Sequence, residues 1–246
     1  MNSNKRSNQQ NVDNMEVLTE KVITFIPAYD PSETRLSILN QREIKVSGDA
    51  VLEKVALAET ACDNAITARN IAFDALDPFV TRVINGLRIS DVPAQTVEQG
   101  ESIVREFRNQ RATEIEPPAK TDEGSDEEES SRNNKLRNSS FNTKIENYRN
   151  LVLLLSTLLA YKPNEKDLKI DALKVRLTDL KHVNSVAVAA EAAAEAARQL
   201  RYQILYGTKT GLVDIAKDSK LYVKSAYGAN SPQYRSISGI LFTRPR

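Results

Sequence analysis

The single histidine and the single cysteine limit the active sites that this chain could assemble. A di-iron carboxylate bundle needs two Glu-x-x-His-type motifs with further inward-facing carboxylates, and only the run from Asp179 to His182 resembles one of them. A zinc site needs more nitrogen and sulfur ligands than Cys62 and His182 provide. We therefore expect His182 to be a residue on the flank of a helix and Cys62 to be a buried apolar filler.

Motifs for nucleophilic catalysis and for nucleotide binding also have ordinary interpretations. A Ser/His/Asp triad would need His182, which lies in a predicted regular helix with no nucleophile elbow nearby. The run Gly207–Gly211, GTKTG, resembles part of a phosphate-binding loop, but no strand precedes it. We interpret it as a helix-breaking loop, and we expect no catalytic residue, cofactor or metal.

The basic C-terminal quarter is the strongest functional lead in the sequence. From Arg198 to Arg246 the chain has nine basic residues and two acidic ones. Aromatic side chains lie between these cations, as on surfaces that stack against nucleic acid bases and neutralise phosphates. The candidate interaction surface consists of Tyr222, Lys224, Tyr227, Tyr234, Arg235, Phe242 and Arg244. The ordinary alternative, which we prefer, is a basic helix face whose tyrosines pack inward.

Composition favours a helical protein. The 246 residues are 40% hydrophobic, with no tryptophan and only 8 glycines, while alanine and leucine recur in long stretches. The net charge of +1 gives no bulk attraction to nucleic acid or to an anionic membrane. The start of the chain has no apolar core of signal-peptide type, and the longest apolar run, 151–159, is too short to cross a bilayer. We expect a cytoplasmic protein without membrane association.

The first half is expected to form a helical hairpin behind an irregular N-terminus. Residues 1–20 are rich in Asn and Gln and are predicted to be a disordered tail. Residues 21–30 contain β-branched and aromatic residues and a proline, which predicts a short extended arm. Helical periodicity then predicts one helix over 32–87 and a second over 93–111.

An acidic segment separates this hairpin from the rest of the chain. Residues 112–140 lose the helical pattern, and between Glu114 and Glu129 they carry eight acids and one lysine. Such a segment is too polar and too repulsive to pack, so we predict a disordered linker.

The second half is predicted to form another hairpin. One helix covers 141–159, and a longer one opens at Asn164, which forms a capping-box pattern with Asp167, and runs to Tyr206. A shorter helix covers 212–227 and ends at Gly228.

The two halves resemble each other in sequence. Ala65–Arg69 aligns with Ala194–Arg198, and VTRVING at 80–86 aligns with YVKSAYG at 222–228. Small residues allow helix backbones to approach closely, so the alanine-rich stretches are expected to meet at the centre of a bundle.

These observations predict an all-α fold. Its domains are an extended arm with the first hairpin at 21–111 and a second hairpin with a C-terminal docking segment at 141–246. Together the two pseudo-repeated hairpins would form one four-helix-type antiparallel bundle with long helices.

The C-terminal region also resembles a known group of proteins. TGLVDIA at 210–216, YVKSAYG at 222–228 and ANSPQYRSISGILFTRP at 229–245 are similar to the C-terminal signature, YVKSxxGAxSPQY-like, of uncharacterised helical-bundle proteins from Bacteroidetes. The resemblance implies a bacterial helical protein. It implies no activity and no catalytic residues.

The function predicted from the sequence is a non-enzymatic structural or protein-interaction bundle, with an unknown protein partner or with self-association. The alternative is a nucleic-acid-binding protein that uses the basic, tyrosine-bearing C-terminal quarter. Ile237, Ile240, Leu241 and Phe242 are expected to pack on the chain itself.

Overall fold

The computed structural model describes residues 3–112 and 126–245, and every regular element in these two ranges is a helix. The predicted all-helical class is confirmed. Two short 3₁₀ turns, η1 (Thr34–Leu36) and η2 (Lys166–Leu168), precede the two longest helices. The α-helices are α1 Ser3–Ile23, α2 Ile38–Asp74, α3 Leu76–Arg88, α4 Ala94–Ala112, α5 Asp126–Ser156, α6 Ile170–Tyr206, α7 Leu212–Tyr227 and α8 Pro232–Ser238. None of the helices in the described ranges is long and apolar enough to span a membrane.

The N-terminal segment is helical where a disordered tail was predicted for 1–20. From Ser3 onwards the chain forms α1, and four apolar side chains on one face of that helix are fully buried: Val12, Met15, Leu18 and Val22. Burial of this face offsets the poor helix propensity of the asparagines. The extended arm predicted for 21–30 is also wrong, because α1 continues to Ile23 and hydrogen-bonded turns follow it to Tyr29.

The predicted linker at 112–140 is only partly described. Residues 113–125 lie outside the described ranges, whereas Asp126–Ser140 belong to α5 and are helical. Charge density therefore did not prevent a helix at the C-terminal end of the predicted linker.

Proline and the 3₁₀ turns shift several predicted helix boundaries. The helix predicted over 32–87 begins at Ile38 and is interrupted at Ala75, so that Pro78 falls in the first turn of α3, where its missing N–H costs no hydrogen bond. The helix predicted from Asn164 begins at Ile170, after η2. The range 212–227 is confirmed, and Gly228 after it has a φ of 91°, which favours glycine.

The chain divides into two compact units. The first unit consists of Met1–Cys62 and Glu191–Arg246, and the second consists of Asp63–Ala190. Each unit combines segments from both halves of the chain. The first takes α1, η1 and most of α2 from the N-terminal half and α7 and α8 from the C-terminal half. The second takes α3 and α4 from the N-terminal half and α5 and η2 from the C-terminal half. Neither unit coincides with a predicted hairpin, 21–111 or 141–246.

Besides other buried residues, such as Val51 and Phe73 in α2 and Ala197 in α6, each long helix has a row of buried positions that recurs every seven residues. In α2 these positions are Gln41, Gly48, Val55, Cys62 and Arg69, and in α6 they are Leu173, Leu180, Ala187 and Ala194. Gly48 allows α1 to pack closely, because a Cβ there would lie 3.0 Å from Val12 Cγ2. Cys62 is buried, as predicted.

The alanine-rich stretches are less central than predicted. Ala194 is buried, but Ala65 is only half-buried, and Ala61 and Ala68 are exposed. The heptad pattern of burial places Cys62, rather than Ala65, at the position equivalent to Ala194. The aligned residues thus share composition but not the same helix face.

Candidate interaction surface

The connection between α1 and α2 is held by a buried network of polar side chains. The Tyr29 hydroxyl donates a 2.7 Å hydrogen bond to the Leu36 carbonyl, seven residues later, and closes the turn around η1. The Gln41 amide donates to the Tyr29 hydroxyl at 2.9 Å and to Ser219 Oγ of α7 at 3.2 Å. Thr19 of α1 donates to Gln41 Oε1 at 3.2 Å. Burial raises the pKa of the Tyr29 phenol, which therefore stays protonated as a donor.

The connection between α5 and α6 is closed by the same kind of tyrosine-to-carbonyl hydrogen bond, but the side chains around it are apolar. The Tyr161 hydroxyl donates to the Leu168 carbonyl at 3.1 Å, again seven residues later. Burial raises the pKa of this phenol to about 12. The buried side chains Val83 of α3 and Leu173 of α6 belong to the same hydrophobic core as Tyr161, so this turn packs in an apolar core.

An ion pair attaches each 3₁₀ turn to a helix of the other half of the chain. In the first unit, Arg35 of η1 donates to Asp218 of α7 at 2.7 Å. In the second unit, Arg82 of α3 donates to both carboxylate oxygens of Asp167 in η2, at 2.6 and 3.2 Å. The hydrogen bonds from Arg82 lower the pKa of the Asp167 carboxyl.

Two of the tyrosines predicted from the sequence face inward. The Tyr222 ring meets the Tyr29 ring edge-on at 5.1 Å, and the Tyr222 hydroxyl accepts a 3.3 Å hydrogen bond from the Asp30 amide. The Tyr227 hydroxyl donates to the Phe25 carbonyl at 3.0 Å. Both side chains hold α7 against the segment that follows α1, as in the ordinary interpretation of the basic quarter.

The remaining predicted surface residues lie in different places. The Lys224 ammonium lies 5.7 Å from the centre of the Tyr234 ring, so those two residues are brought together. Arg244 pairs with Asp214 at 2.7 Å. Phe242 packs against the core of the first unit, while Arg235 is exposed. The structure therefore does not gather the seven residues into one aromatic and basic face.

The C-terminal segment packs along α1. Asn11 uses its side-chain amide to pair with both backbone groups of Thr243, donating to the carbonyl at 2.8 Å and accepting from the N–H at 3.0 Å. Asn14 donates to the Leu241 carbonyl at 2.7 Å, and Ile237 of α8 is fully buried. The predicted packing of this segment on its own chain is confirmed for Ile237, which is fully buried, and for the partly buried Ile240 and Phe242, whereas the Leu241 side chain is 68% exposed.

An open groove of about 760 Å³ lies beside this packed segment, between α1 and α8. Val17 and Phe25 contribute its apolar surface, and two carboxylates stand at its edge. Those carboxylates are paired with α2: Glu16 with Lys45 at 2.9 Å and Glu20 with Arg42 at 3.6 Å. The polar groups at this edge thus serve the packing of α1 on α2.

A feature that the sequence analysis missed is an apolar row on the outer face of α2. Leu39, Val46 and Leu57 are 69%, 65% and 66% exposed, and their spacing places them on one side of the helix, opposite its buried row. With the exposed Ala50 and Ala61 they form what we call the α2 stripe, which lies within the first unit. The signal was present in the sequence, because α2 carries two apolar rows and a helix on a core buries only one.

Neither the arrangement of metal-ligating side chains nor the comparisons with known proteins identify a catalytic residue. Within the described ranges, no three His, Cys, Asp or Glu side chains converge as a metal site. His182 lies exposed on α6. The resemblance to the Bacteroidetes group stays a prediction: no family model matches this chain, and comparisons with curated proteins and with solved structures found no match.

Proposed function

We propose that this chain is a non-enzymatic helical protein that acts by binding another protein, and that the α2 stripe is its contact surface. The observation that carries the proposal is the exposure of Leu39, Val46 and Leu57 on one face of a regular helix. Large apolar side chains scattered singly over a surface are ordinary, but a row of them along one helix is typical of an interaction site.

The spacing of the stripe favours a helical partner. Its residues follow one another at intervals of four and seven positions, which is the pattern that packs helix against helix. Ala50 and Ala61 alternate with the larger side chains and leave room for knobs from a second helix. The partner expected is therefore an amphipathic helix, either from another protein or from a second copy of this chain.

The two halves of the chain are, in this proposal, related repeats. YDPSETRLSI at 29–38 and YKPNEKDLKI at 161–170 share Tyr, Pro, Glu, Leu and Ile in the same order. Each precedes a 37-residue helix and closes with the same tyrosine-to-carbonyl hydrogen bond. These correspondences support the pseudo-repeat predicted from the sequence, with a register set by the heptads rather than by the alanine runs.

The nucleic-acid alternative has less support. Two of the tyrosines that would stack on bases, Tyr222 and Tyr227, hold α7 to the segment after α1, and Arg244 is paired with Asp214. Binding to single-stranded DNA or RNA, with an affinity that falls steeply with salt and with Arg235→Glu, would favour this alternative. The cytoplasmic location and the bacterial origin remain predictions.

Site-specific photo-crosslinking tests the proposed surface. A photoreactive amino acid replaces Leu57 in the full chain, and we expect a discrete crosslinked species in cells. The matched control replaces Leu159, which is 88% exposed and lies in the second unit. Equal crosslinking at both positions, or none at Leu57, Val46 and Leu39, would contradict the proposal.

A further inference from the structure

We propose that the two halves of this chain carry a recognition code that pairs each half with the unlike half and opposes pairing of either half with itself. The N-terminal half is 3–112 and the C-terminal half is 126–245. This inference rests on the repeat correspondence proposed above, but not on the α2 stripe.

Helices α3 and α7 occupy equivalent positions in this correspondence. Both follow a 37-residue helix, and five of the six buried positions in each helix recur at the same intervals. The matched buried pairs are Leu76 with Leu212, Phe79 with Ile215, Val80 with Ala216, Val83 with Ser219 and Leu87 with Val223. In this alignment Arg82 is equivalent to Asp218, and by the alignment of the turns Arg35 is equivalent to Asp167.

The ion pairs between turn and helix are therefore the same contact with the charges exchanged. In the first unit the turn supplies the cation, Arg35, and the helix supplies the anion, Asp218. In the second unit the turn supplies the anion, Asp167, and the helix supplies the cation, Arg82. Each contact joins a turn from one half to a helix from the other half.

Self-pairing of a half would place like charges together. Two N-terminal halves would bring Arg35 of one copy to Arg82 of the other. Two C-terminal halves would bring Asp167 to Asp218. Repulsion between like charges is a common way to select one partner over another, and here it acts against both forms of self-pairing.

Buried polarity provides a second and independent part of the code. The first unit buries a hydrogen-bonded set, Thr19, Gln41 and Ser219. The equivalent positions in the second unit are apolar and buried. Leu173 and Val83 follow from the alignments above, and Val152 is equivalent to Thr19 when the buried rows of α1 and α5 are matched, Leu18 with Leu151 and Val22 with Leu155. Self-pairing of the N-terminal half would place Gln41 against Val83 and remove the hydrogen bond to Ser219. Self-pairing of the C-terminal half would leave Ser219 against Leu173, and a buried hydroxyl without its partner is destabilising.

The test begins with the intact folded chain. A specific protease site is placed between residues 112 and 126, the protein is cleaved after folding, and the product is examined by native mass spectrometry. We expect the two fragments to remain together as a one-to-one complex. The cleaved protein is then unfolded in urea and refolded, and we expect unlike pairs in clear excess over the 1:2:1 distribution of random pairing. Separation of the fragments on cleavage, or a random distribution after refolding, would overturn the proposal.

Charge reversal in the uncleaved chain tests the code even if the fragments fail to refold. Arg35→Asp and Asp218→Arg should each lower the equilibrium constant for folding. The folding constant of the double variant should be about two- to fivefold higher than the value expected if the two single effects were independent. Arg82→Asp with Asp167→Arg should behave in the same way. Additive effects in both cycles would contradict the assigned pairs. In the cleaved protein, Arg82→Asp alone should raise the share of N-terminal homodimers.

Discussion

Asn11 and Thr243 form a two-point pair, in which one side-chain amide satisfies both backbone polar groups of a residue 232 positions away. Asn11 is 1% exposed, and its amide also donates to the Tyr206 hydroxyl at 3.3 Å. This contact joins the first helix, the end of α6 and the C-terminal segment.

Asn11→Ala should lower the free energy of unfolding by about 1–3 kcal/mol, because the side-chain amide loses its two hydrogen bonds with Thr243 and its bond to the Tyr206 hydroxyl. Urea denaturation followed by circular dichroism measures the change. Asn150→Ala, at an exposed position of α5, is the control and should stay within about 0.5 kcal/mol of the parent. Equal effects at the two positions would show that the pair contributes nothing specific.

Truncation after Gly228 should destabilise the protein strongly. It removes α8, including the fully buried Ile237, whose burial alone is worth roughly 1.5–3 kcal/mol, and it exposes the face of α1 that carries Asn11 and Asn14. Removing only Pro245 and Arg246 should leave the melting temperature nearly unchanged. A melting temperature equal to that of the intact chain after the longer truncation would contradict the assigned packing.

Alkaline pH should destabilise the second unit through Tyr161. Its pKa in the folded chain is about 12, against an ordinary value near 10, so the unfolded chain loses the proton first. The contribution is complete below pH 10 and is lost as the pH rises from about 10 to about 12. Tyr161→Phe should make the decline of unfolding free energy over this range shallower, although the buried Tyr148, whose pKa is also raised, keeps part of it.

Urea denaturation at several pH values between 9 and 12 measures this slope. Tyr202→Phe, which removes a hydroxyl from a tyrosine that is 57% exposed, is the matched control. If Tyr161→Phe leaves the slope equal to that of the parent, the burial of this phenol is not what couples folding to alkaline pH.

Removing Gln41 alone should destabilise the fold, whereas replacing the whole hydrogen-bonded set of Thr19, Gln41 and Ser219 with apolar side chains should destabilise it much less. Gln41→Leu alone should cost about 1–3 kcal/mol, because the buried Ser219 hydroxyl loses the bond from the Gln41 amide and the Thr19 hydroxyl keeps only its bond to the Met15 carbonyl. The triple variant Thr19→Val, Gln41→Leu, Ser219→Val reproduces the apolar set of the second unit and should recover most of the loss. Thermal melts compare the two, and a triple variant less stable than Gln41→Leu would refute the equivalence of the two environments.

Alanine positions along the long helices should respond to enlargement according to burial. Ala194→Leu should cost about 1–3 kcal/mol, because the side chain is 1% exposed and the added carbons overpack the core. Ala65→Leu, at a half-buried site, should cost less, and Ala61→Leu, at an exposed site, should stay within about 0.5 kcal/mol. Urea midpoints rank the three variants, and any other order would contradict the assigned faces.

Local chemistry predicted the elements whose ends are set by one residue. Helix α7 was predicted over its observed range because Gly228 is a typical residue at a helix end and Pro232 cannot continue the helix. In the structure, Gly228 adopts a positive φ and Pro232 starts the next helix. Helix α1 was missed, although Val12, Met15, Leu18 and Val22 recur on one helical face, because the asparagines in and before this stretch are typical of disordered segments. Three of those asparagines, Asn8, Asn11 and Asn14, make specific hydrogen bonds in the folded chain.

For the candidate interaction surfaces, too, the sequence predicted one part and the tertiary structure decided the other. The basic quarter was visible as composition, but composition does not reveal whether Tyr222 faces solvent or the Tyr29 ring. The α2 stripe was readable as a second apolar row, yet only the position of the core decides which of two rows on a helix is buried.

The sequence by itself determined the helical class and the ends of α7, and it predicted a likeness between the two halves of the chain, because each of these follows from residue types or short-range spacing. The tertiary structure alone decided how those halves are combined. Arg35 meets Asp218, and Asp167 meets Arg82, across long separations in the chain. Local periodicity contains no information about such partners, since it records which side of a helix is apolar and not which distant segment covers it.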